Sequence, residues 1–347
     1  MGFSVSVRAF ALVSSLLLAA CGGGGGGGSS GTGGSTTAAP QAVLITETNA
    51  KPVAADALEA VQGASAMQGT NLLTGVEVQS ESAAPAGIRA VAGIARVASA
   101  SLAGRTALAS GVAISESAAC PSGGGISITG NVSGGASLVP GDTITIAANN
   151  CKLAVDGVLT TMNGSLSMTV VSGSMPASGP FHVVVQYVLA DLSVQAAGTT
   201  VVVAGTAQLD WTSSSITSET MIASGTSMTV RETTGTTTHT SAMKNYSQSV
   251  AVNGSTVTSS LSATIETSST RLGASGGSYT ITTPTPLVWN SSTNVLSAGV
   301  VKVVGANSSQ LVMTVTGSNA VTIQVDANGD GTFEKTVFST ATELRSL

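Results

Sequence analysis

From Cys120 to near the end of the chain, apolar residues recur at every second position. Gly125-Ile126-Ser127-Ile128, Asp142-Thr143-Ile144-Thr145-Ile146 and Ser165-Leu166-Ser167-Met168-Thr169-Val170 alternate in this way. The same pattern returns with Val257, Leu261, Ala263 and Ile265, then Leu311, Met313 and Val315, then Val321, Ile323 and Val325. A period of two sends successive side chains to opposite faces of an extended strand, so Ser and Thr meet water while the apolar set meets a core. Turn chemistry stands between the runs: Pro140-Gly141, Asn163-Gly164, Ala197-Gly198, Asn253-Gly254, Gly276-Gly277 and Asn328-Gly329-Asp330-Gly331. Such pairs supply the positive φ that tight hairpins need. Together they predict a mainly β fold of about ten to twelve strands. The expected architecture is a large antiparallel meander sheet, curved or partly closed into a barrel, with a short Ala-rich helical segment N-terminal to it. Asn-Gly-Ser segments at Met162–Thr169 and Val252–Thr264 suggest one hairpin unit used twice.

The helical segment is expected within 41–119, ahead of a β-domain at 120–340. Asn49 is placed to cap a helix with Lys51 and Pro52 in its first turn, and Val53, Ala57, Val61 and Ala64 follow at helical spacing through Met67. Ile88, Val91, Ile94, Val97, Leu102 and Leu108 form a second such pattern, interspersed with Arg89, Arg96 and Arg105. It reads as helix packed on the sheet with arginines in water; a basic helix lying on lipid is the alternative. Phe181–Leu192 and Thr200–Ala204 are apolar on both faces, which predicts strands covered on both sides, with helix as the second cover.

Only 8% of the residues are charged, against about 25% in ordinary soluble domains. Disordered chains are charge-rich and poor in Val, Ile and Leu, unlike this one. The net charge of −5 and the absence of basic clusters interleaved with aromatics exclude nucleic acid as a partner. Low charge also removes the usual guards of sheet edges, leaving Pro176, Pro180, Pro284 and Pro286. Either the sheet closes or an edge pairs with another chain.

The N-terminus has the three parts of an export signal, residues 1–20: a basic Arg8, an apolar run at Ala9–Leu18 and small residues at Ala19 and Ala20. The run is about half the length of a membrane span. Leu18-Ala19-Ala20-Cys21 resembles the lipobox of bacterial lipoproteins. That resemblance implies cleavage before Cys21, acylation of its thiol and new amino terminus, and anchoring in the membrane by more than one acyl chain, which holds stably where one does not. Gly22–Gly28 and the Gly, Ser, Thr and Ala residues through Pro40 form a tether of residues 21–40. Gly rather than Asp after the cysteine implies the outer membrane, with the domain in the periplasm or at the cell surface. The rest of the chain is similar to Gly/Ser/Thr-rich envelope lipoproteins of Gram-negative bacteria, a likeness that brings no activity with it. With Cys21 taken by lipid, Cys120 and Cys151 remain as a pair, read as a disulfide in an oxidising compartment. Their spacing does not suit a CxxC redox motif, and no histidine stands near to complete a metal site.

One constellation carries ligand chemistry. Asp326, Asn328 and Asp330 occupy positions one, three and five of an EF-hand-like calcium loop, Thr332 offers a carbonyl at seven and Glu334 an oxygen at nine. Position twelve is Val337, where a bidentate Glu belongs. The alternative is a polar hairpin tip, and in either case Val321, Ile323 and Val325 are expected to share a face with Phe333 and Val337. Apart from this calcium candidate no cofactor is implied. GxSxG occurs at Gly273–Gly277 and again in the tether at Gly27–Gly31, so it is no nucleophile elbow here. His182 and His239 stand far apart, His182 as a core or rim residue and His239 as an exposed strand residue. Trp211 and Trp289 read as sheet core and rim, with sugar stacking as the alternative. The expected function is a non-enzymatic envelope lipoprotein with a structural or partner-binding role. A carrier or chaperone holding an apolar, lipid-like ligand between sheet and helix is the second reading.

Overall fold

The structure is a computed structural model that describes residues 40–66, 112–133, 137–155, 158–176, 180–215, 218–273 and 275–347. The expected export signal, Cys21, most of the expected tether and the helical pattern expected at 88–109 lie outside the described residues. Helix α1 (Ala50–Ala66) precedes fifteen strands. These are β1 (Val112–Ala119), β2 (Gly125–Val132), β3 (Ser137–Leu138), β4 (Thr143–Val155), β5 (Val158–Pro176), β6 (Phe181–Ala196), β7 (Thr199–Ser215) and β8 (Ser218–Thr234). There follow β9 (Thr237–Asn253), β10 (Thr256–Thr267), β11 (Gly277–Asn290), β12 (Val295–Val304), β13 (Gln310–Gly317), β14 (Ala320–Asp326) and β15 (Lys335–Thr340), then α2 (Ala341–Arg345). Each strand pairs antiparallel with its sequence neighbours, in order from β1 to β15, except that β3 pairs with β5 alone. The predicted meander is therefore present. It is not closed: β1 and β15 are its two edges.

The two-residue period begins earlier than Cys120, since β1 lies within the stretch read as helical or irregular. Asn163-Gly164 is not a turn. It lies inside the 19-residue β5, at register shifts against both β4 and β6. There Gly164 has φ +102°, and a Cβ would stand 2.4 Å from the Asp191 carbonyl oxygen. A bulge uses the same positive φ as a hairpin, and lets so long a strand bend. Because Asn253-Gly254 does make a turn, the two Asn-Gly-Ser segments are not one reused unit. Pro284 and Pro286 do not guard an edge. They interrupt β11, an interior strand, where its register against β12 shifts between Thr282 and Thr285 and again before Val288. A proline cannot donate to the ladder, and a bulge is where a sheet interior tolerates that.

α1 forms where expected, over Ala50–Ala66; Met67 lies outside the described residues. The Asn49 carbonyl accepts the first helical bond from Val53 N, while its side chain binds backward to Thr46 N and Leu44 O. Val53, Ala54, Ala57, Leu58 and Val61 are buried against β9, β10 and β12–β14. The helix thus covers a different part of the sheet from β6 and β7, where the double-faced runs predicted it. On β6 itself Val183, Val185, Leu192 and Val194 are buried, whereas the other face is partly open and Val188 is 40% exposed. The large core runs from α1 through β5–β15 to α2. A second core gathers Ile114, Ile126, Ile128, Leu153, Met162 and Leu192 around Cys120 and Cys151.

The chain enters this unit at Pro40. Ser278 N donates to Gln41 O, Val43 N to Ser278 O, and Ala306 N to Val43 O, while Ile45 N donates to Ser309 Oγ. Val43 and Ile45 are buried there, so residues 41–45 are part of the sheet unit.

Candidate functional site

The turn after β14 gathers the residues predicted for calcium. Asp326 is fully buried at its base. Its carboxylate accepts bonds from Gly329 N at 2.7 Å, Gly331 N at 2.9 Å and Gln310 Nε2 at 2.7 Å. Burial alone raises this carboxyl; the Gln310 bond and the backbone bonds of Gly331, Gly329 and Asp330 more than offset it and hold it below the ordinary value of 3.8. Asn328 Oδ1 accepts from Asp330 N, Asp330 Oδ1 from Thr332 N, and Glu334 Oε2 from Ala327 N. Ligand oxygens of Asp326, Asp330 and Glu334 lie within 4.8 Å of one another. Asn328 and Thr332 instead hold the turn through their Oδ1 and N. Val337 faces Ile323 across the ladder and can supply no ligand. Phe333 does not join that face: it lies in the loop, 37% exposed, and Val321 is opposite Ser339.

This loop is built from its neighbours as well as from itself. Gly329 takes φ +76°, and a Cβ on it would come within 2.6 Å of the Asn307 carbonyl oxygen. Asn307 itself lies in the left-handed region at φ 54°. The turn therefore rests on the 306–308 turn between β12 and β13, and that turn holds the Val43 carbonyl through Ala306 N. Its chemistry is that of a compact acidic tip whose carboxylates organise backbone amides.

Cys120 and Cys151 form the expected disulfide, with Cα atoms 5.4 Å apart. His182 is not in the core. It lies on an exposed face beside Asp210, Nε2 to Oδ1 2.9 Å, with more than half of its side chain open. His239 is exposed, as its surroundings suggested. Ser275 lies in a turn just before β11, so it has no strand-to-helix setting. Trp211 and Trp289 are both buried, which removes them as a stacking surface. Phe181 packs edge-on against Trp211, whose Nε1 donates to Glu219 at 3.1 Å. Burial raises the Glu219 carboxyl, with the Trp211 bond opposing.

A further ionisable group was invisible in the sequence. Tyr279 OH donates to Asp56 Oδ2 at 2.6 Å, and Arg271 binds Glu59 one turn along α1 at 2.7 Å. Burial raises the Asp56 carboxyl, the Tyr279 bond lowers it and the Glu59 charge raises it again, leaving it at about 6. Its partners lie more than two hundred residues away, so no local pattern announces them.

The chain matches no protein-family model, no curated protein and no solved structure. Among the described residues no helix is long and apolar enough to cross a membrane.

Proposed function

We propose that this chain is a non-enzymatic cell-envelope lipoprotein. In this reading acylated Cys21 anchors it in the outer membrane, and the β-sheet unit acts in the periplasm or at the cell surface in a structural or partner-binding role. The observation that carries this is Leu18-Ala19-Ala20-Cys21 at the end of an export signal, followed by a Gly-rich stretch. That stretch runs to Pro40, where Ser278 Oγ donates to the Pro40 carbonyl and joins the chain to the sheet. The non-enzymatic part rests on chemistry. The His182–Asp210 pair is exposed and no nucleophile is bonded to it among the described contacts. The carrier alternative would need a hollow under α1, and contiguous buried side chains from Val53 to Val61 meet β9, β10 and β12–β14 there.

Cys21→Ser tests the anchor. The variant is expected to be processed poorly, to lack acyl chains by mass and to leave the membrane fraction. Retention in the membrane fraction would sink the anchor. Organic extraction of the native protein tests the role separately: a stoichiometric apolar ligand in the extract would replace the structural role by the carrier.

A further inference from the structure

We propose that the open edge of the sheet is a self-pairing surface, with β15 joining β15 of a second copy antiparallel across a two-fold axis. The proposal does not depend on the lipid anchor.

The edge is open on its outer side among the described residues. Ala341 N donates to Asn319 O, and the register aligns Thr340 with Ala320 and Phe338 with Thr322. Antiparallel strands alternate bonded and non-bonded pairs. If 341 bonds to 319, then 339, 337 and 335 face β14, and Thr336 and Phe338 turn their N–H and C=O groups outward; Thr340 turns its N–H outward, while its C=O serves α2 as the cap. Few of the devices that usually blunt an edge are present. Lys335, at the start of β15, is the strand's one charge and is paired with Glu47 at 3.8 Å; residues 336–342 carry no charge and no proline, and the register from Val325 to Ala320 has no bulge. The strand is also short, at six residues.

Three features point to a copy of the same strand as the occupant. First, the outward-turned residues read Thr336, Phe338, Thr340, the same in both directions at alternate positions. A two-fold axis at Phe338 therefore sets Phe338 against Phe338 and Thr336 against Thr340 in each direction, giving aromatic and Thr–Thr cross-strand pairs on one face. Second, Phe338 is 76% exposed, the most open of the large apolar side chains among the described residues, and this register covers it with its own counterpart. Third, the strand is held ready. Thr340 Oγ1 caps α2 by accepting from Glu343 N at 3.0 Å, and Glu343 binds Lys51 of α1. Residues 336–342 carry no charge, and a two-fold axis at Phe338 sets each Lys335 against Ala341 of the other copy, so two copies meet without like-charge repulsion along the strand. A six-residue pairing buries area at the low end of specific interfaces, below about 1,200 Å², so the dimer is reversible and is best read by trapping.

The full chain is purified with Phe338→Cys or with Thr336→Cys and gently oxidised, alongside the parent chain to report any bridge through Cys21. In the proposed register two 338 Cα atoms lie about 5.5 Å apart, within disulfide reach. Two 336 Cα atoms lie about 14 Å apart along the strands, outside it. Expected are a covalent dimer from F338C, none above parent from T336C, and a mixed dimer when T336C and T340C chains are combined. Sedimentation supplies a readout free of engineered thiols: the parent chain should show a reversible dimer, and Phe338→Lys should abolish it with an unchanged circular-dichroism spectrum. Equal trapping by F338C and T336C, no trapping by folded F338C, or self-association unchanged by F338K would each overturn the proposal.

Discussion

Asp56 and Asp142 are carboxylates of opposite temper, and pH separates them. Asp142 is buried and accepts from Ser133 N at 2.7 Å and Val139 N at 2.9 Å. Burial raises it, but these bonds and the Ser133 hydroxyl hold it below 3.8. Its stabilisation is thus present above 3.8 and lost as pH falls through its lowered folded value. Asp56 is raised to about 6, so between roughly 3.8 and 6 the folded state binds the proton that the unfolded state has released. Stability then falls as pH rises through that window and levels off above it. Asp56→Asn keeps an acceptor for Tyr279 and removes the charge. It should melt higher than the parent at pH 8, by on the order of 3 kcal/mol in unfolding free energy, with little of that difference left at pH 4. Thermal melts at the two pH values check this; equal differences at both would refute it.

The acidic turn poses a different question at the same scale. Its fold is carried by Asp326 bonds to Gly329, Gly331 and Gln310, and position twelve lacks a ligand. Melting in EGTA and in millimolar calcium is therefore expected to coincide, while Gly329→Ala should cost about 1–2 kcal/mol for its left-handed backbone, and more if Asn307 cannot move. A rise of several degrees with calcium would assign a cation to Asp326, Asp330 and Glu334 instead. The residue types and spacing of this turn were legible in sequence. Its seating on Asn307 was not, because that contact depends on how two hairpin ends meet.

Among elements, the strands were readable because alternation of Val, Ile and Leu with Ser and Thr is a local property. Where they end was less so. Ser318 and Asn319 turn the chain with φ 47° and 67° just after Gly317, so the two turn residues are not themselves glycine, whereas Asn163-Gly164 announces a turn that is a bulge. Both follow from one fact: positive φ is demanded by turns and bulges alike, and Asn or Ser can supply it as well as Gly. The cover on the sheet was legible as a helix but not as a location, since apolar spacing in α1 does not say which strands receive it. The disulfide ties the small core, joining the residue after β1 to the bulge in β4 across 31 residues. A Cys120→Ser, Cys151→Ser double variant should lose about 3–4 kcal/mol on the loop-entropy model. Reduction of the parent should give the same shift in denaturant midpoint, and a loss under about 1 kcal/mol would mean that the small core holds β1, β2 and β4 without it.

At the scale of the molecule, an open meander has two weak places, its edges and its entry point, and the first residues of the described unit secure the second. Four hydrogen bonds join residues 41–45 to Ser278, Ala306 and Ser309, and Val43 and Ile45 are 7% and 0% exposed. These contacts span more than two hundred residues of sequence, so 41–45 belongs to the far half of the sheet although it precedes α1. A chain beginning at Pro40 should therefore melt with the full chain, because all four of those bonds are made by residues 41–45. A chain beginning at Thr46 loses both buried side chains, each worth about 1.5–3 kcal/mol, and uncovers Gly277 and Gly305, against which Val43 packs. It should unfold about 3–6 kcal/mol more easily. Equal stability of the two truncations would show that the β-unit begins at α1 and that 40–45 is only the last part of the tether. A shortfall already in the Pro40 chain would move the boundary the other way, into the Gly-rich stretch behind Cys21.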